Sequence, residues 1–85
     1  MKKQQLQPIY DTRKSFYGKA TYTEDNDGHT LYSYDTPILK IYNNGTKEAL
    51  WDGWSATTGR HINEFAKQFT GEPLLKKDYT KLLEN

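Results

Sequence analysis

The chain contains no cysteine and no valine, and both absences limit how it can be stabilised. Without cysteine, neither a disulfide framework nor a thiolate zinc site can hold a small fold together. Leu, Ile and Phe supply only 15 of the 85 residues, a share typical of disordered chains, but 12 aromatic residues and a net charge of +1 argue against disorder. The sequence therefore predicts a small folded domain with an aromatic core.

Long hydrophobic runs are also missing. No apolar stretch approaches the roughly 18 residues of a membrane helix, and the first residues lack the apolar segment of a signal peptide. At 85 residues, the chain is too short to form two halves with separate cores. We therefore expect one soluble, intracellular domain with no membrane partner.

Charge is distributed unevenly along the chain. Residues 1–20 contain five basic residues and one acidic residue, whereas residues 21–57 contain two basic and six acidic residues. We interpret residues 1–14 as a basic N-terminal arm and residues 15–85 as a single α+β domain. The arm is either a solvated tail or a segment that follows a phosphate backbone, and the near-neutral balance of the whole chain favours the tail.

The first half of the domain has the pattern of antiparallel strands. Apolar and polar residues alternate over 15–23, which predicts a strand. The sequence EDNDG at 24–28 predicts a hairpin turn, with Gly28 at a positive φ angle. The chain is therefore expected to reverse before His29.

Two further breaks divide the next stretch. Pro37 interrupts the long segment 29–42, so we expect a bend or bulge between two strand segments. Asn and Gly in NNG at 43–45 accept the left-handed angles of a tight hairpin, and a further strand is expected over 46–51.

The second half changes to helical spacing. The i, i+4, i+7, i+11 pattern, widened by Ala66, predicts one amphipathic helix ending at Gly71 and formed around Thr58, Ile62, Phe65 and Phe69. A short helix over about 76–83 is expected to turn inward the side chains of Tyr79, Leu82 and Leu83, with help from Leu75. The predicted fold is a three- or four-stranded antiparallel meander with one amphipathic helix packed on it and a short C-terminal helix.

Most of the candidate functional chemistry lies at the start of the long helix. Free N–H groups and the hydroxyls of Ser55 and Thr57, with Arg60 one turn later, have the composition of an anion site. The same hydroxyls are also ordinary helix caps, which is the interpretation we favour. Histidine is suited to general-base catalysis at neutral pH, which makes His61 a candidate base toward Ser55 or Thr57, but the sequence places no orienting carboxylate beside it. We therefore predict no enzymatic activity, no metal and no cofactor.

Tyrosines supply the second group of candidates. Tyr17, Tyr32 and Tyr34 are expected on strand faces opposite or adjacent to the core, where Lys19 adds a positive charge. Such a surface is typical of stacking platforms for single-stranded nucleic acid and of protein interfaces. Tyrosine also serves as core filler in a domain without valine, and we favour that interpretation.

Three segments carry a resemblance to a known group of proteins: KSFYGKA at 14–20, LYSYDTPI at 31–38 and WDGWSATTGRHINEF at 51–65. Over roughly residues 13–80, the chain resembles a family of small uncharacterised proteins from phages, plasmids and other mobile elements of Gram-positive bacteria. The resemblance implies an accessory protein made in the cytoplasm of a bacterial host, and it implies no catalytic or binding role for any residue.

These observations lead to two functional hypotheses. The first is a non-enzymatic binding protein of a mobile element that engages a host or element-encoded protein, with inhibition of host defence, as by anti-CRISPR proteins, as one form. Its candidate binding residues are Tyr17, Lys19, Tyr32, Tyr34, Ser55, Thr57, Arg60 and His61. The alternative is a nucleic-acid-binding module that uses the basic arm, Arg60 and exposed tyrosines.

Overall fold

A computed structural model describes residues 3–6 and 20–84. Within these ranges, an antiparallel sheet of five strands packs against two helices, which confirms the predicted α+β class. The strands lie in the sheet in chain order, so the sheet is a meander. The elements are β1 (Gln4–Gln5), β2 (Ala20–Glu24), β3 (Gly28–Ser33), β4 (Thr36–Tyr42), β5 (Lys47–Ala49), α1 (Ala56–Thr70) and α2 (Lys76–Leu83).

The described sheet exceeds the predicted three or four strands because the N-terminal residues pair with its edge. Gln4 lies opposite Tyr22 in the register of β1 and β2. The Leu6 amide continues this pairing by donating a hydrogen bond to the Ala20 carbonyl at 2.9 Å. Leu6 is fully buried, so the sheet and the core both hold this segment. The predictions for residues 7–19 lie outside the described residues.

The break predicted near Pro37 is a complete reversal of the chain. β3 ends at Ser33, β4 begins at Thr36, and these two residues pair across the sheet. The turn between them contains Tyr34, whose φ angle of 57° is in the left-handed region. The prediction that Tyr34 lies on a strand face is therefore wrong, because the chain reverses at this residue. A shift in register between Leu31 and Tyr32 supplies the expected irregularity.

Gly28 also differs from its prediction. It is the first residue of β3, it is buried, and its φ angle is outside the positive range occupied by Gly45 and Gly71. A Cβ atom at this position would lie 2.3 Å from the backbone oxygen of Ile41. Glycine is required here because β3 and β4 approach closely, and not because of a turn conformation. The NNG turn is confirmed, since Gly45 has a φ angle of 90°.

The predicted start and end of α1, marked by Ser55 and Gly71, are confirmed. The Ser55 hydroxyl accepts a hydrogen bond from the Thr58 amide at 3.1 Å, which satisfies an N–H group that lacks a helical partner. At the other end, Gly71 adopts a φ angle of 84° and donates its N–H to the Lys67 carbonyl. The inward stripe contains Thr58, Ile62, Phe65, Ala66 and, partly buried, Phe69.

The short helix α2 is anchored by one tyrosine. Tyr79 is 1% exposed, and its hydroxyl lies 2.8 Å from the Ile38 carbonyl and 2.7 Å from the Trp51 carbonyl. Leu82 packs against the core, but Leu83 and Leu75 are exposed, contrary to prediction. Leu74 is buried before α2 begins, so the chain meets the core one residue earlier than expected.

Tyr79→Phe is expected to lower the free energy of unfolding by about 1 to 2 kcal/mol, because the Ile38 and Trp51 carbonyls lose the one O–H donor that they share. Burial raises the pKa of the Tyr79 hydroxyl, with the Asp52 carboxylate adding to the rise. A raised pKa means that Tyr79 contributes stability fully below pH ~10, and that this contribution declines as the pH rises above that value. Urea unfolding at pH 7 and at alkaline pH measures both effects. Equal losses of stability in wild type and Tyr79→Phe above pH ~10 would contradict the second.

No helix among the described residues is both long and apolar enough to cross a membrane.

Candidate functional site

A shallow pocket of about 140 Å³ opens where the β3–β4 turn meets the start of α1. Three separate parts of the chain line it: the turn with its flanking strand residues, the segment after β5, and the first helical turn. We refer to this region as the Tyr34 surface. Its lining residues are Ser33, Tyr34, Thr36, Ile38, Trp51 and Thr58.

Tyr34 is the prominent side chain of this surface. It is 61% exposed, the largest exposed fraction among the large hydrophobic residues described. Its left-handed backbone costs about 1 to 2 kcal/mol relative to an ordinary conformation, because Cβ crowds the following carbonyl. Backbone strain of this kind is concentrated at functional sites, which makes Tyr34 a candidate recognition residue.

His61 lies beneath this surface and connects α1 to β3. It is fully buried, and its Nδ1 atom lies 3.3 Å from the Ser33 hydroxyl oxygen. The Ser55 hydroxyl is engaged as the cap of α1. His61 therefore contacts the Ser33 hydroxyl, whereas the sequence suggested Ser55 or Thr57 as its partner. Its ring lies on the buried side of the pocket.

The remaining helix candidates are accessible. Ser55 is exposed, and Thr57 and Arg60 are partly exposed on the first turns of α1. Thr58, which lines the pocket, follows Thr57 directly. The start of α1 and the Tyr34 turn are thus brought together, although they are more than 20 residues apart in the sequence.

Tyr32 lies apart from the pocket. Its ring is contacted by Lys3, whose Nζ atom lies 4.4 Å from the ring centroid. The same Nζ atom is 3.4 Å from an Asp35 carboxylate oxygen. Because Tyr32 alternates with Leu31 and Ser33, which face the core, its ring points to the opposite side of the sheet. Tyr17 and Lys19 lie outside the described residues.

The two described lysines that contact tyrosine rings, Lys3 and Lys40, also lie beside carboxylates. Lys40 Nζ lies 3.0 Å from Asp27 and 3.6 Å from Asp25. The hydrogen bond to Lys40 lowers the pKa of Asp27, and the same contact raises the pKa of Lys40. With Lys3 beside Asp35, both cations already have anionic neighbours, so a phosphate at either position would compete with a carboxylate.

Among residues 3–6 and 20–84, no three His, Asp or Glu side chains converge on a common point that could hold a metal ion.

Comparison with known proteins gives one relationship. The model of a family of unknown function, DUF8033, matches residues 4–81 of the chain. The chain belongs to this family. No curated protein and no solved structure matches it. The match runs from β1 through most of α2, and it assigns no role to the Tyr34 surface.

Sequence reasoning missed several residues of the surface in this DUF8033 member. Alternation along β3 places Ser33 on the same side as Leu31, which signals that it faces the core. No local pattern indicates that His61 is its neighbour, because the two are 28 residues apart. Trp51 belongs to the segment 51–65 that carries the family resemblance, but its position beside Ile38 depends on the pairing of β4 with β5.

Proposed function

We propose that the protein is a non-enzymatic binding protein of a bacterial mobile element, and that it engages a host or element-encoded protein through the Tyr34 surface. The exposed ring of Tyr34, held in a strained turn beside a pocket, is the observation that carries this proposal. Tyrosine provides a large contact area at a small entropic cost, and the pocket provides a concave neighbour for a side chain of the partner.

The origin and the biological setting are part of the same proposal. The resemblance of the segments at 14–20, 31–38 and 51–65 to proteins of phages and plasmids supports an accessory protein that acts in the cytoplasm of a Gram-positive host. Inhibition of a host defence protein is one form that such binding takes. A compact surface with one aromatic anchor suits occupation of a protein site by this small chain.

A protein partner is favoured over nucleic acid by the arrangement of charge. Nucleic-acid interfaces depend on lysine and arginine side chains that release counterions from phosphates. Lys3 and Lys40 are instead placed against carboxylates. Phosphate binding at these positions is therefore expected to be weak even at low salt.

Tyr34→Gly separates recognition from stability. Glycine accepts a positive φ angle, so this change is expected to leave the free energy of unfolding unchanged or to raise it by up to about 1 kcal/mol. Removing the exposed ring is expected to weaken partner binding about tenfold or more. Thermal unfolding measures the first effect, and capture from lysate of a Gram-positive host measures the second.

The capture experiment uses the tagged full chain with and without nuclease, at low and moderate salt. Leu75→Ala is the matched control, because Leu75 is also exposed but lies at the start of α2. The proposal requires a discrete protein that survives nuclease and salt, is lost with Tyr34→Gly and is retained by Leu75→Ala. Recovery of only nuclease-sensitive and salt-sensitive material would instead support the nucleic-acid alternative.

A further inference from the structure

Residues that can donate hydrogen bonds line most of the pocket at the Tyr34 surface. Of the six lining residues, five carry an O–H or N–H group in the side chain, and the sixth is Ile38. None of these six described side chains ends in a carboxylate or an amide. Such a lining can offer several donors to a single acceptor group that enters the pocket.

Thr58 supplies a hydroxyl that no other group uses. Thr58 is 7% exposed and lines the pocket, so the small accessible part of this residue is where it meets the pocket. Its backbone amide donates to the Ser55 hydroxyl, but its own hydroxyl has no hydrogen-bond partner within residues 3–6 and 20–84. A nearly buried hydroxyl without a partner is energetically unfavourable, and a ligand that accepts its hydrogen bond removes that cost.

Ser33 places a second hydroxyl in the same pocket. It is 5% exposed, and its Oγ atom lies 3.3 Å from Nδ1 of His61. When Nδ1 carries the proton, the imidazole donates to Ser33 Oγ, and the serine O–H is left to donate into the pocket. The imidazole behind Ser33 therefore lets this hydroxyl act as a donor when an acceptor enters.

The charge distribution at the start of α1 favours an anionic acceptor over a neutral one. The first turn of α1 contains no acidic residue, and its first two amides have no hydrogen-bond partner among the described residues. The positive end of the helix dipole is therefore uncompensated there. Two carboxylates adjoin pocket residues in the sequence, but neither lines the pocket. Asp35 lies 3.4 Å from Lys3 Nζ, and Asp52 lies toward Tyr79, whose pKa its charge helps to raise.

We propose that this pocket binds the carboxylate side chain of an aspartate or glutamate in the protein partner. An ionised carboxylate only accepts hydrogen bonds, and its two oxygens match the hydroxyls of Ser33 and Thr58. A lysine or arginine would bring further donors and a positive charge to the positive end of the helix. An apolar side chain would leave the Thr58 hydroxyl without an acceptor. This inference deepens the proposed function, on which it rests, by giving the chemistry of the group that enters beside Tyr34.

The test is a titration of the ¹⁵N-labelled full chain with N-acetyl-glutamate methylamide, followed by NMR shifts. Saturable shifts in the millimolar range are expected at the amides of Ser33, Tyr34 and Thr58 and at the indole N–H of Trp51. N-acetyl-glutamine methylamide has nearly the same shape without the charge, and it is expected to bind at least about fivefold more weakly. Equal binding of both probes, the absence of saturation, or tighter binding of inorganic phosphate would overturn the assignment.

Three substitutions identify the hydroxyl that is responsible. Thr58→Val keeps the shape of the side chain but removes the donor, and it is expected to weaken glutamate binding about tenfold. Thr58→Ser keeps the hydroxyl and is expected to retain binding. Thr57→Val is the matched control and is expected to have no effect, because Thr57 lies on the same helical turn but does not line the pocket. Equal weakening by Thr58→Val and Thr57→Val would overturn the assignment to this pocket.

The amide spectrum of each variant shows whether it is folded. If Thr58→Val does not fold, the comparison of the glutamate and glutamine probes on the wild-type chain still decides the assignment. The titration uses no host protein, so a failure of the carboxylate assignment and a failure of the proposed function are detected in separate experiments.

Discussion

Phe65→Ala is expected to lower the free energy of unfolding by about 3 to 5 kcal/mol. Phe65 is fully buried in the middle of α1, with ring neighbours Phe69 at 4.8 Å and Tyr22 at 6.3 Å between centroids. Truncation removes apolar contact with both the helix and the sheet and leaves a cavity that these elements cannot close. For a chain of this length, a total stability of roughly 4 to 13 kcal/mol is typical, so the loss is a large part of it.

Urea unfolding followed by tryptophan fluorescence measures this effect, and Leu75→Ala is the control. Leu75 is 48% exposed, so its truncation is expected to change stability by less than about 1 kcal/mol. The contrast tests the orientation of both helices at once. A Leu75→Ala variant as unstable as Phe65→Ala would mean that the chain enters α2 with the opposite leucine buried.

The helices were predictable because their signals are local. The stripe that includes Ile62 and Phe65 recurs at helical spacing, and the cap at Ser55 and the stop at Gly71 lie within one turn of the helix ends. The NNG turn was predictable for the same reason, since Gly45 adopts the left-handed angle that the sequence favours.

The features that escaped prediction depend on contacts between distant residues. One such feature is the pairing of the first residues with β2 at the sheet edge, next to the buried Leu6. Leu74 and not Leu75 is buried in the core, and no local pattern distinguishes these two neighbouring leucines. Composition identified Tyr34 as a candidate, but its left-handed turn is visible only once β3 and β4 are paired.

The candidate site also combines features that are local in the sequence with features that depend on contacts between distant residues. Tyr34 and the start of α1 were both singled out from the sequence, each for its own chemistry. They meet at one pocket because α1 crosses the sheet with its first turn at the β3–β4 end. The packing of α1 on β3 and β4 determines this orientation. Histidine is a common catalytic residue, so His61 was a candidate from its type alone. Its burial against Ser33 follows from the same packing of α1 on the sheet.

Gly28→Ala is expected to lower the free energy of unfolding by about 3 kcal/mol, although it adds only one methyl group. The new Cβ atom would lie 2.3 Å from the Ile41 carbonyl oxygen and 2.8 Å from Cα of Tyr42. Both atoms belong to the backbone of β4, so a side-chain rotation cannot relieve the overlap. The strands must separate locally, which weakens the pairing of Gly28 with Tyr42 that begins β3.

Gly45→Ala distinguishes crowding from backbone strain in the same assay. Gly45 has a φ angle of 90°, but no atom lies within 4 Å of a Cβ placed there. Alanine at this position therefore meets conformational strain alone, with an expected loss of about 1 kcal/mol. If Gly28 were needed for a turn conformation, the two variants would lose similar stability. A clearly larger loss for Gly28→Ala follows only if close approach of β3 and β4 is the reason for glycine.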